Sequence, residues 1–149
     1  LSVTWPTKLT SHPLTRSITD LFCRDGFHYA GQHEFYAPMI DFILRHNLWV
    51  AELGDRVDGF MGWFRLDDAS FAVVKANTLM EAISDKIKLN LLNGKYCYIA
   101  IATVAPWASR GTYRRLKKAV FSLNSDAVLV CGHTYQSGVE RFWHRRIRQ

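Results

Sequence analysis

Residues 96–104 form the most apolar run of the chain, and it stops abruptly at Ala105-Pro106. A strand that apolar has to be covered on both faces, so helices must pack against it. Proline removes a ladder donor and ends the strand. The loop Trp107-Ala108-Ser109-Arg110-Gly111 follows, and then a basic helix over about 112–123. Tyr113, Leu116 and Val120 mark its inner stripe, with Arg114, Arg115, Lys117 and Lys118 turned outward. Strand, short loop and helix in series is the frame of an α/β domain.

The rest of the chain supplies partners for that strand. The spacing predicts a short helical turn over 17–23, then a helix over 34–46 with Phe35, Met39, Phe42 and Ile43 on one side. Pro38 falls within about the first turn, where a missing N–H costs little. Residues 48–53 and 57–66 read as an antiparallel hairpin around Gly54-Asp55-Arg56. Residues 70–76 suit either a strand or a helix. Residues 78–92 read as a helix, with Leu79, Ile83, Ile87 and Leu91 at steps of four and Asn93-Gly94 as the stop. A strand over 126–131, a turn over 132–137 and an amphipathic helix from 138 complete the pattern. The fold class expected is α/β, with a mixed, mostly antiparallel sheet flanked by helices.

At 149 residues the chain is expected to be a single domain. No run of 18 apolar residues offers a transmembrane span. The three cysteines, Cys23, Cys97 and Cys131, are odd in number and well separated. A disulfide framework or zinc knuckle is not expected, and core thiols in a reducing, cytoplasmic setting are. The chain begins at Leu1 rather than Met, so a trimmed terminus is expected.

Charge is unevenly placed. Residues 110–149 carry nine Lys or Arg against Asp126 and Glu140, a formal +7, while the remainder is near neutral. Such a region suits phosphates on a small cofactor, nucleic acid or anionic lipid. Backbone N–H groups at the start of the helix after Gly111 lack intrahelical partners, and the helix dipole favours an anion in front of them. Arg110, Gly111, Thr112 and Arg114 are therefore expected at a phosphate-binding site. No Walker pattern is present, which argues against an ATPase.

The strand–loop–helix stretch, with Arg110-Gly111 at its centre, resembles the coenzyme A loop of the GNAT superfamily of N-acetyltransferases. The aromatic pair Phe142-Trp143 near the C-terminus adds to the likeness, which spans roughly residues 34–149. Residues 44–49 (Leu-Arg-His-Asn-Leu-Trp) and 101–107 (Ile-Ala-Thr-Val-Ala-Pro-Trp) resemble stretches of the toxin-activating lysine acyltransferases, a variant of that fold. The resemblance implies transfer of an acyl group from acyl-coenzyme A or acyl carrier protein to an amine, such as a protein lysine. It places the family's catalytic histidine at His28 and its catalytic aspartate at Ala102, which cannot move a proton. It also implies backbone donors to an oxyanion at Thr103, Val104 and Ala105, and Tyr135 as the acid for the departing thiolate. No metal site is expected, since His28, His33 and Glu34 offer no convergent third ligand. Two alternatives stand beside this reading. One is a non-catalytic, partner-binding member of the fold. The other is a nucleic-acid-binding module that uses Arg141, Arg145, Arg146 and Arg148.

Overall fold

A computed structural model describes residues 12–77, 81, 89–136 and 138–147, the side chain of residue 136 excepted. In chain order the elements are α1 (Thr15–Phe22), α2 (His33–Arg45), β1 (Trp49–Leu53), β2 (Val57–Leu66), α3 (Asp68–Ala76), β3 (Tyr96–Val104), α4 (Thr112–Leu123), β4 (Leu129–Gln136) and β5 (Val139–Arg146). The strands make one five-stranded sheet in the order β1-β2-β3-β4-β5. It is a mixed and mostly antiparallel sheet flanked by helices, as the sequence pattern predicts; β3 and β4 are its parallel pair. Among the described residues no helix is long and apolar enough to cross a membrane.

The chain divides into two compact units. The first takes the described residues of 5–62 and 101–123. In it β1 and β2 pair antiparallel, Trp49 opposite Gly62 and Leu53 opposite Val57, with a register shift at Glu52–Leu53. Two glycines of β2 let helices approach closely. A Cβ at Gly59 would lie 2.8 Å from both Leu116 and Thr112 of α4, and one at Gly62 would lie 2.6 Å from Ile43 of α2. Three residues apart on a strand, they open opposite faces.

The α1–α2 pair is joined by the buried carboxylate of Asp41. It accepts the His12 N–H at 2.6 Å, the Thr15 hydroxyl at 2.7 Å and Arg45 Nε at 2.7 Å. Burial opposes ionisation, but these donors outweigh it and hold the carboxyl below its usual range. Phe22, Tyr29 and Tyr36 pack ring to ring, with centroids 4.5 Å apart for Phe22–Tyr29 and 4.9 Å for Phe22–Tyr36. Pro38 sits deeper in α2 than expected, one full turn inside, where the helix forgoes the bond to the Glu34 carbonyl.

The second unit takes the described residues of 63–100 and 124–149. Residues 70–76, ambiguous in sequence, belong to a helix, because Asp67 caps it by accepting the Ser70 N–H at 2.8 Å. Arg65 reaches the Gly94 carbonyl at 2.9 Å and both carboxylate oxygens of Asp126 at 3.1 Å. The parallel ladder joins Tyr96–Ile99 of β3 to Leu129–Gly132 of β4. The helix read over 78–92 lies almost wholly outside the described residues; at its end, residues 89–92 are not helical.

The C-terminal expectations need correction. Residues 132–137 are not simply a turn, because β4 runs on through Gln136. The last element is strand β5, not an amphipathic helix; it pairs antiparallel with β4 from Leu129–Arg146 to Gln136–Val139. Phe142 and Trp143, neighbours on β5, face opposite sides of the strand. Each has its own packing partner: Phe71 and His133 for Phe142, Gly132 for Trp143.

Candidate functional site

Within the first unit a cleft of about 300 Å³ opens where β3 ends. That is at the small end for a ligand pocket and suits an extended arm rather than a bulky group. Ser17, Asp20, Leu21 and Arg24 line it from α1 and the residues just after; Arg56 and Val57 come from the start of β2, and Pro106 and Trp107 from the loop after β3. The proline that stops β3 thus turns the chain into the cleft wall.

Two arginines are fixed there by different means. Arg24 donates to the Leu21 carbonyl at 2.7 Å, the Thr103 hydroxyl at 3.0 Å and the Val104 carbonyl at 3.3 Å. It ties the end of α1 to the end of β3. The guanidinium carbon of Arg56 sits over the Trp107 ring, 3.6 Å from its centroid, a cation–π contact to which guanidinium is better suited than ammonium. The indole N–H of Trp107 donates to Asp58 at 3.0 Å, so the ring is held edge and face while still 45% exposed. Asp20 at the rim lies 3.5 Å from Nε2 of His33.

The loop and helix expected to bind phosphate lie in the same unit. Arg110, Gly111 and Arg114 are exposed and Thr112 is buried. Gly111 has φ +91°, a conformation that glycine adopts without strain. The start of α4 already holds an anion supplied by the chain itself, the carboxylate of Glu52. Arg115 grips it with two parallel bonds of 2.7 and 2.8 Å, and the Thr112 hydroxyl lies 3.2 Å away. Arg115 also donates to Ser109 Oγ at 3.0 Å and to the Arg110 carbonyl at 3.3 Å. Arg115 is exposed, as expected of an outward position, and its side chain folds back over the helix start. The Arg115 hydrogen bond holds the Glu52 carboxyl below its usual range.

The remaining expected site residues are placed as follows. Thr103 is buried and its hydroxyl is taken by Arg24; the Val104 carbonyl accepts from the same guanidinium. The Ala105 N–H already donates to the Asp58 carbonyl at 2.7 Å. Ala102 lies in β3. His28 is exposed beyond the Asp25-Gly26 turn, beside Phe27 and Tyr29, and does not line the cleft. Tyr135 belongs to the second unit, on β4 opposite Glu140, and is 42% exposed. Among the described residues no three metal-ligating side chains converge.

The sequence places Trp107 in the loop after the apolar strand but signals neither Arg24, Arg56 nor the Glu52–Arg115 pair. The partners are far apart in the chain, Arg24 from Thr103 by 79 residues and Glu52 from Arg115 by 63, so no local spacing signals them. No protein-family model matches the chain, and no curated protein matches it.

Proposed function

We propose that the cleft at the end of β3 takes the acyl-bearing arm of a thioester, from acyl-coenzyme A or acyl carrier protein, in an acyltransferase-like role. The observation that carries this reading is the make-up of the cleft. Leu21, Val57, Pro106 and Trp107 offer an apolar channel, and Arg24 and Arg56 set two fixed cations at its wall. An acyl or pantetheine arm wants the first, and the phosphate that bears it wants the second. A cytoplasmic setting fits the same reading, since buried Cys23, Cys97 and Cys131 are free thiols.

The acceptor on this reading is an amine, such as a protein lysine. Its attack on the thioester carbon forms the C–N bond and expels the thiolate, and the amine gives up a proton. His28, the base the family likeness offers, is exposed and does not line the cleft, and Ala102 offers none, so on this reading the proton passes to solvent water.

Titration calorimetry with acetyl-coenzyme A, longer acyl-coenzyme A and acyl carrier protein tests this. At least one donor is expected to bind, and Trp107→Ala and Arg56→Glu are each expected to weaken it about tenfold. Failure of every donor to bind overturns the reading. Binding without acyl transfer to any supplied amine would place the protein among non-catalytic partners that use the same cleft.

A further inference from the structure

The β4–β5 hairpin of the second unit separates its charges by face. Strand alternation and the observed register put Gly132, Thr134, Val139, Arg141, Trp143 and Arg145 on one side. Glu140, Phe142, His144 and Arg146 point to the other, where Phe142 packs on Phe71. The first side therefore carries two exposed arginines and no acid; the hairpin's carboxylate, Glu140, is behind it.

Trp143 lies between those arginines, two residues from each. A Cβ placed on Gly132 would lie 3.1 Å from Trp143 Cζ2 and Nε1 and 3.2 Å from Cε2. Near-equal distances to three bonded ring atoms mean that the indole lies face-on over Gly132. One ring face rests on the sheet and the other is turned away from it. The strand rise puts the Cα of each arginine about 7 Å along from that of Trp143, comparable with the step between nucleotides of an extended strand.

We propose that this face binds single-stranded nucleic acid, one base stacking on Trp143 while Arg141 and Arg145 take the flanking phosphates. Among the described residues β5 is the last strand of the sheet. Arginines on an edge strand also deter pairing with other chains. That task needs neither an indole laid flat between them nor all the acid on the opposite face. A lipid surface fits less well, because among the described hairpin residues Val139, at the tip, is the only exposed aliphatic on this side.

Fluorescence anisotropy of the full chain with a labelled oligo-dT, titrated across salt concentrations, tests the proposal. Wild type is expected to bind at low salt, with quenching of tryptophan emission. R141E/R145E is expected to lose at least about tenfold in affinity and to flatten the log–log salt slope by about 1.4, two contacts at about 0.7 each. Because glutamate also deters edge pairing, sedimentation should show an unchanged oligomeric state. Trp143→Leu should lose about tenfold with the salt slope kept, and Glu140→Gln should not weaken binding. Circular dichroism checks each fold, and R141Q/R145Q replaces the double charge reversal if that one unfolds. Absence of oligonucleotide binding at low salt overturns the proposal. So does equal binding of inorganic polyphosphate, or binding confined to anionic phospholipid vesicles.

Discussion

The phenolic oxygen of Tyr98 lies 2.6 Å from Nδ1 of His133, joining neighbouring strands β3 and β4 through their side chains. Tyr98 is fully buried and His133 half-buried, with its ring also edge-on to Phe142 at 5.3 Å. Burial lowers the His133 pKa below its usual 6.5, against a hydrogen bond to the Asn77 backbone that raises it. With the folded value below the unfolded one, the neutral ring's contribution to stability is complete above about pH 6.5. It diminishes as the pH falls from there through the folded value.

Tyr98→Phe removes the hydroxyl from this pair. The expected loss is about 1 kcal/mol of stability at pH 7.5, the worth of one buried hydrogen bond. Urea titration of both proteins measures it. Following the imidazole by NMR should show its pKa displaced from the wild-type value; identical titration curves would mean that the 2.6 Å contact has no influence on the ring.

Gly94→Ala should cost more than any other single methyl in the second unit. The new Cβ would fall 1.7 Å from the Leu66 carbonyl carbon and 1.8 Å from its oxygen, both backbone atoms that cannot swing aside. A loss of about 3 kcal/mol or more is expected, or failure to fold. A urea midpoint close to wild type would show that the turn does not press on Leu66.

Glu52→Gln probes who owns the start of α4. The variant keeps the shape but removes the charge that Arg115 and Thr112 now hold. The pair is largely exposed, so stability should fall by less than about 1 kcal/mol. Since Glu52 titrates below its usual 4.5, that small contribution is present above pH 4.5 and is lost as the pH falls through the folded value. Inorganic phosphate and acyl-donor affinity should rise about tenfold if Arg110, Gly111, Thr112 and Arg114 meet an external anion. Calorimetry showing no gain would leave the helix start as a purely structural clamp.

The cysteines should be silent in the folded protein. Burial pushes the Cys23 thiol up to about 11 and Cys131 to about 12, and raises Cys97 as well. All three are free and buried. Alkylation followed by mass spectrometry should find no modification at pH 7.5 without denaturant, and three modified thiols in urea. Rapid native labelling of Cys97 or Cys131 would show that the β3–β4 region opens far more readily than its packing implies.

Local physics carries part of this fold. Residues 96–104 are apolar enough to ask for a covered strand, and Pro106 ends it; of the expected inner stripe of α4, Leu116 and Val120 face a core, whereas Tyr113 is exposed. Gly54-Asp55-Arg56 could only join two strands tightly, and the α/β class follows from the order of these pieces. The C-terminal segment was different. Val139, Phe142, Trp143 and Arg146 satisfy a helical period, yet residues 139–146 form a strand because β4 offers a full ladder and both faces find packing partners. Gly132 looked like a turn residue, but its missing Cβ is used to seat an indole. The candidate site was decided by tertiary structure for the same reason. Arg24 meets Thr103, Arg56 meets Trp107 and Glu52 meets Arg115 only after distant segments pack. A residue's local neighbours set its preferred backbone, whereas the partner of a charge is set by whatever the folded chain brings within hydrogen-bond reach.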